Sequence, residues 1–378
     1  MTRSENLLVV ADSDHDATML YAVGMFVPDP FIYLQAGNRR YVVLSDLEID
    51  RARREIKHCQ VLALSRYQKL IRGGGRKNPT YEDVIVYLLK EKKALKVSVP
   101  ANFPLGLADA LTKKGGRLKA RPGSFFPERE QKTAAEVKKI SAALLMAEVG
   151  MAEAMHVLRA AKAGKDRRLM HHGVPLTSEK LRSVIDIAIL QAGGLASHTI
   201  VAGGKQGCDP HEKGFGPLRG NEPIILDIFP RSQATGYFGD ITRTVVRGRA
   251  SEEIRKMYDT VLQGQTLAFR QMKAGAATAA IHKSVQDYFV SQGYRTGPGK
   301  SGRMEGFFHG TGHGLGLEIH EAPRVGATST GNLAAGQVVT VEPGLYYPEI
   351  GGVRLEDVAL ITKTRPRNLT RFEKCLEI

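Results

Sequence analysis

No stretch of the 378 residues approaches the roughly 18 uncharged apolar residues of a membrane-spanning helix. The opening MTRSENLLVVADSDHD lacks an apolar run of signal-peptide length, and acids follow at once. Cysteine is scarce. Cys59, Cys208 and Cys375 lie far apart and make an odd number, so a disulfide framework is not expected and reduced thiols are. These absences give the expectation of a cytoplasmic protein without a membrane partner. Internal repeats and low-complexity segments are missing as well. With 42% hydrophobic and 25% charged residues, the composition is that of a folded globular chain with enough length for two cores.

The formal charge of +15 raises a nucleic-acid role. Residues 1–128 hold 21 Lys/Arg and 14 Asp/Glu, a surplus of 7, and the remaining 250 residues hold 33 and 25, a surplus of 8. The excess is diffuse, and the densest clusters, Arg72–Lys77 and Lys162–Arg168, lack interleaved aromatics. A solvated, mildly basic surface is the better reading than a nucleic-acid partner.

Residues 1–127 read as a mixed α/β domain. LLVV, FIYLQA, YVVLS, VLALS and VSVP are strand-like runs. LSDLEIDRARREI and TYEDVIVYLLKEKKA have helical spacing, and IRGGGRKNP reads as a loop. From 128 to 378 a second domain is expected. It opens on a long helix from about Glu128 to Ala163, and a further helix starts with Ser178 as N-cap. TIVAGG, PIILDIF and GYFGDITRTVVRG follow as strands, then helices from about Ser251 to Lys273 and from Thr278 to Gln292. VVTVEPGLYY and GVRLEDVALIT close the chain as strands. This order predicts an α+β domain with antiparallel sheet and helices on one face.

Three signals carry chemistry. Asp227 lies in PIILDIF and Asp240 in the next strand, GYFGDITRT. A carboxylate in an apolar strand is costly unless paired or metal-bound, and two facing carboxylates repel unless a cation lies between them. The alternative is that Asp240 pairs with Arg243 or caps a turn. The second signal is FFHGTGHGLGLEIHEAP, with His309, His313 and His320 among glycines. Histidine is the commonest metal ligand, though solvated turn histidines are the plainer reading. The glycines argue against a helical zinc site, and H-E-x-x-H is absent. The third signal is Glu342, at the end of the apolar strand in VVTVEPG and before its Pro-Gly turn, and Glu356 in GGVRLEDVALIT; either could simply pair with Arg354. Taken together, four carboxylates and one histidine make a hard, oxygen-rich donor set. It suits two divalent ions such as Mn²⁺ or Co²⁺, with Fe²⁺ or Zn²⁺ further options.

Two other patterns fail. GYRTGPGKS lacks the first glycine of a phosphate loop and follows no strand. Cys208 and His211 have no partner pair to complete a zinc site.

PIILDIF…GYFGDITRT, HGTGHGLGLEIHE, TVEPGLYYP, GGVRLEDV and the closing NLTRFEKCLEI resemble the motifs of the pita-bread metallopeptidases. Within them the Xaa-Pro aminopeptidase and prolidase branch is the nearest likeness. The resemblance covers roughly residues 128–378; the N-terminal part matches that branch in size and α/β character only. It implies a pita-bread catalytic domain behind a smaller creatinase-like N-terminal domain. It implies hydrolysis of Xaa-Pro bonds in a proline-containing peptide, through a hydroxide bridging two metal ions, Mn²⁺ foremost, in a homodimer. Asp227, Asp240, His313, Glu342 and Glu356 are the implied metal ligands, with Glu342 also the general base. His211, His309, His320 and Arg354 are the implied catalytic and supporting residues, and Arg324 the substrate-carboxylate contact. The sequence departs from the pattern in a longer turn between Asp227 and Asp240 and in Glu212, which replaces an aromatic. The pair His171–His172 has no counterpart and reads as surface histidines. The rival readings are a metal-free C–N hydrolase of the creatinase kind and a non-catalytic binding protein on the same scaffold. Both branches typically lack the full ligand set.

Overall fold

A computed structural model describes residues 5–300 and 302–378. The chain forms two compact units, Met1–Pro127 and Glu128–Ile378.

The first unit is built on a six-stranded sheet. Its strands are β1 (Leu7–Ala11), β2 (Phe31–Ala36), β3 (Arg39–Leu44), β4 (Gln60–Ala63), β5 (Lys96–Val99) and β6 (Arg117–Ala120), in the order β4-β3-β2-β1-β5-β6. β1, β2 and β3 pair antiparallel; the outer pairings are parallel. Strand residues alternate between faces, and here both faces are apolar. Leu8, Val10, Ile32 and Leu34 pack with Tyr67, Ile85 and Leu89 on one side. Leu7, Val9, Tyr33 and Val42 pack with Met19, Ala52 and Phe126 on the other. Five helices supply these covers: α1 (Ala17–Val23), α2 (Ile49–Glu55), α3 (Leu64–Gly73), α4 (Tyr81–Glu91) and α5 (Leu105–Lys113). α4 starts on the capping box of Thr80 and Asp83. α3 takes Leu64 and Ser65 from the expected strand VLALS and Ile71 to Gly73 from the expected loop. The reason is the helical pair Tyr67 and Ile71, four residues apart and both buried.

The second unit opens on α6 (Ala134–Ala160), whose Thr133–Glu136 capping box sets its start after a short 3₁₀ turn at Pro127–Glu130. α6 is long and apolar enough to cross a membrane by length and composition, and half of that window is buried in the unit. It packs on α7 (Ser178–Gln191) at Gly150, where a Cβ would lie 3.0 Å from Ile185 and Ile189. The N-cap of α7 is Thr177, not Ser178: the Thr177 hydroxyl accepts the Lys180 N–H at 3.2 Å. Sequence inspection cannot separate two adjacent hydroxyl residues that differ only in backbone conformation.

The remaining strands are antiparallel. Pro223–Ile228 lies between Ile200–Gly203 and Ile241–Val246. A five-stranded sheet runs Glu321–Val325, Gly312–Gly314, Val338–Val341, Asp357–Leu360, Arg367–Asn368, and Gly344–Tyr347 pairs with Gly351–Arg354 as a separate hairpin. Helices α8 (Glu252–Gln271) and α9 (Thr278–Ser291) bury Ile254, Val261, Ile281 and Phe289 against Val339, Val341, Val353 and Leu355. By strand alternation Thr340, Glu342, Arg354 and Glu356 point away from those helices. That opposite face is where the acids gather.

Candidate metal centre

Asp227 is inside its strand, paired across the ladder with Thr242. Asp240 immediately precedes the strand Ile241–Val246 instead of lying within it, and Glu356 occupies the break between Gly351–Arg354 and Asp357–Leu360 instead of the interior of one strand. Glu342 likewise follows Val338–Val341 and precedes Pro343. Pro343 has no N–H to offer the ladder. The Glu342 N–H turns to Thr311 O at 2.8 Å, and the Glu356 N–H to Thr242 O at 3.0 Å. Carboxylates at strand ends can converge, whereas successive residues within a strand would point to opposite faces.

They do converge. Ligand atoms of Asp240, His313 and Glu356, all buried, lie within 4.8 Å of one another. His313 Nε2 stands 3.2 Å from Glu342 Oε1 and 3.8 Å from Asp240 Oδ2. Its Nδ1 faces the Gly314 carbonyl at 3.1 Å, and a carbonyl can only accept, so Nδ1 carries the hydrogen. With Nδ1 engaged there, Nε2 is the ring atom turned toward two carboxylates, and it is the atom free to bind a cation between them. Gly312 lets the His313 strand approach: a Cβ there would sit 1.9 Å from Thr340 O.

The arginine pairings that would have disarmed Asp240, Glu342 and Glu356 are taken elsewhere. Arg243, 1% exposed, bonds Asp357 Oδ1 at 2.9 Å, the Glu356 carbonyl at 2.7 Å and three further carbonyls, and leaves Asp240 alone. Arg354 binds Asp227 Oδ2 at 2.7 Å, so neither Glu342 nor Glu356 is neutralised in that way. Asp227 Oδ1 remains buried without a hydrogen-bond partner, a cost that a metal ion would remove. Threonines orient two of the acids: Thr242 donates to Glu356 Oε2 at 2.7 Å and Thr340 to Glu342 Oε1 at 3.2 Å.

Burial, followed by the charges of Glu356, Asp227 and Glu342, pushes the Asp240 carboxyl well above its usual range. Glu356 is raised by burial and then by Glu342 and Asp227. Burial also works upward on Glu342, but the hydrogen bond and charge of His313, with His309 and Arg354, outweigh it and hold Glu342 at about 2. Four carboxylates facing one fixed cation, Arg354, form a site that is short of positive charge.

The other expected residues divide into two groups. His309 sits behind the acids in a chain of hydrogen bonds: Arg354 Nη1 donates to the Tyr346 hydroxyl at 2.9 Å, and that hydroxyl meets His309 Nε2 at 2.9 Å. His309 Nδ1 lies 2.8 Å from the Gly310 carbonyl, so Nε2 accepts the Tyr346 proton. Burial pushes His309 down to about 4. His320, His211 and Arg324 are exposed on the rim. The His320 ring stands edge-on to His313 at 4.4 Å, and the partial burial of its ring, then the charges of His313 and Arg324, lower it to about 4. Glu321, next to His320, is held by Lys132 and by Arg129 at 3.0 Å, which fixes that segment. Glu212 accepts the Gly214 N–H at 3.1 Å, a local turn bond. The His171 and His172 rings meet edge to face at 4.0 Å and belong to a separate hairpin. Sequence reasoning gave no role to Tyr346, Thr242 or Thr340, although the Tyr346 signal was present in GLYYP.

Residues 138–363 match the profile of Metallopeptidase family M24. A Bacillus subtilis (strain 168) peptidase, YqhT, is 31% identical over 249 residues, 61% of this chain and 67% of that one. The Xaa-Pro dipeptidase of Pyrococcus horikoshii is 36% identical over 180 residues, 47% of this chain and 48% of its own, so the match spans about half the length of that relative. The structure of the X-Pro aminopeptidase from Thermotoga maritima MSB8 superposes with a TM-score of 0.83 at 21% identity, covering 99% of this chain and 97% of that one. That likeness shows the fold, the pita-bread α+β architecture with an N-terminal unit ahead of it. With the family profile matched over more than half its length, the chain belongs to metallopeptidase family M24.

Proposed function

We propose that this chain is a dinuclear metal-dependent peptidase that hydrolyses Xaa-Pro bonds, with the 128–378 unit as its catalytic domain. The observation that supports it is the buried convergence of Asp240, His313 and Glu356, flanked by Glu342 and by the unpartnered Oδ1 of Asp227. Asp227, Asp240, His313, Glu342 and Glu356 would hold the ions, and four carboxylates with one imidazole suit Mn²⁺ first, then Co²⁺, Zn²⁺ or Fe²⁺. Such ions supply Lewis acidity toward the scissile carbonyl and lower the pKa of water.

The protein's own groups do the rest. Glu342 has 19% side-chain exposure against 6% for Asp240, so it is the acid best placed to meet a substrate. Ionised at neutral pH, it serves as the proton acceptor. His320, neutral and exposed beside His313, is placed to donate a hydrogen bond to the developing oxyanion or to the scissile amide. His309, kept neutral by burial and oriented by Tyr346, lines the pocket for proline, and Arg354 holds Asp227 in place. Arg324, on the rim opposite His313 in the ladder, suits a substrate carboxylate, and His211 a proton shuttle. The complete acid set argues against the creatinase-like and binding-only alternatives. Three free thiols among the described residues fit a reducing cytoplasm, and a homodimer completes the proposal.

The test is Asp240→Asn. Metal content and peptidase activity should be lost together, and an active variant with full metal content would defeat the assignment.

A further inference from the structure

The ladder joining residues 338–347 to 351–360 is split at its middle. Val338–Val341 pairs with Asp357–Leu360, ending at Val341↔Asp357, and Gly344–Tyr347 pairs with Gly351–Arg354, starting at Gly344↔Arg354. Between them the strands meet through a long contact of 3.5 Å from the Leu355 N–H to Pro343 O. Glu342 and Glu356 lie opposite each other in this break, and Pro343, opposite Leu355, has no N–H to give the buried Leu355 carbonyl, while Val341 O lies at the last pair of its ladder. An unsatisfied buried carbonyl is costly.

One side chain fills the gap. Gln265, in the middle of α8 and 2% exposed, donates its Nε2 hydrogens to Val341 O at 2.8 Å and to Leu355 O at 3.1 Å. Val341 and Leu355 are the residues immediately before Glu342 and Glu356. A planar amide with both hydrogens engaged fixes the separation of two backbone points, each one residue from a carboxylate.

We infer that Gln265 is a positioning residue for the metal site: its amide clamps the split ladder and so sets the spacing between Glu342 and Glu356. This rests on the metal-site reading above. An amide is the suited group, because a primary amide nitrogen has two hydrogens, whereas a hydroxyl has one and a carboxylate would repel both carbonyls. A buried apolar residue of the same length would keep the packing and lose the clamp.

The experiment is Mn²⁺ binding by calorimetry to chelator-stripped full-length protein, for the parent, Gln265→Met, Gln265→Asn and the packing control Val261→Ala on the same helix. Urea unfolding of each in chelator is measured in parallel. Loss of partners one step behind metal ligands typically weakens metal binding about 10–100-fold. Gln265→Met should therefore bind Mn²⁺ at least about 10-fold more weakly at a temperature where it is fully folded. Gln265→Asn, with a shorter reach, should weaken binding too, and it serves if the Met variant does not fold. Val261→Ala should lose stability with its Mn²⁺ affinity unchanged. Parent-like affinity in a folded Gln265 variant overturns the inference and leaves the metal-site reading intact. Failure of the parent to bind Mn²⁺, Co²⁺ or Zn²⁺ overturns the reading itself.

Discussion

Replacing Arg354 with methionine tests the charge balance of the site. The guanidinium is buried at 3% exposure, holds Asp227 at 2.7 Å, and donates to the Tyr346 hydroxyl at 2.9 Å. Methionine keeps much of the volume and removes every donor. Asp227 Oδ2 then joins Oδ1 as a buried oxygen without a partner, in a site that keeps all four acids. Breaking a buried ion pair by removing one partner costs about 3–5 kcal/mol. For a unit of this size each kcal/mol moves Tm by roughly 2–4 °C, so the chelator-treated variant should melt about 6–20 °C below the parent. Divalent metal should return part of the loss, since ligand at 100 times its Kd adds about 2.7 kcal/mol. The assay is thermal unfolding followed by circular dichroism, with chelator and with saturating Mn²⁺. A stripped variant melting within about 2 °C of the parent would refute the argument that Arg354 compensates the acid cluster.

Two further outcomes follow from the same geometry. In metal-free protein Asp240 and Glu356 are raised, first by burial and then by neighbouring acids, so the folded state holds protons that the unfolded chain has released. Stability therefore falls as pH climbs from their unfolded values of about 4 toward the raised ones. His309 and His320, lowered to about 4 chiefly by burial, act in the opposite sense between there and about 6.5, and are silent above it. Urea unfolding of stripped protein should show these carboxylates lowering stability as pH rises above about 4, by up to about 1.4 kcal/mol per pH unit for each one still titrating; a contribution from Asp240 and Glu356, isolated with Asp240→Asn and Glu356→Gln, that rises with pH contradicts this. Gly312→Ala places a Cβ 1.9 Å from Thr340 O, and neither backbone can yield without parting the two strands. We expect about 1–3 kcal/mol of destabilisation or more together with weakened metal binding, and a variant with parent stability and affinity would count against the close approach of His313.

Much of the site was legible because acids in apolar strands are expensive. Asp227, Asp240, Glu342 and Glu356 stand out in PIILDIF, GYFGDITRT, VVTVEPG and GVRLEDVALIT without any structure. What the one-dimensional pattern hid was where the ladders stop. GVRLEDVALIT reads as one strand, yet it breaks at Leu355–Glu356, where Pro343 opposite has no N–H and the Glu356 N–H bonds Thr242 O instead. The N-terminal sheet was legible from its apolar runs, whereas α3 was masked by the glycines at its end. Supporting residues such as Gln265, Arg243 and Tyr346 were invisible for a different reason. Their partners are set by tertiary approach, and a glutamine in an amphipathic helix looks like any other polar residue until the strands it bridges are in place.

The central claim is most directly tested by hydrolysis of Ala-Pro and Ala-Pro-Ala by the purified chain, stripped with chelator and then supplied with Mn²⁺, Co²⁺ or Zn²⁺. The account predicts that cleavage at the bond before proline disappears on stripping and returns with metal. A folded protein that cleaves neither peptide with any of the three ions, or cleaves them equally well in chelator, would contradict it.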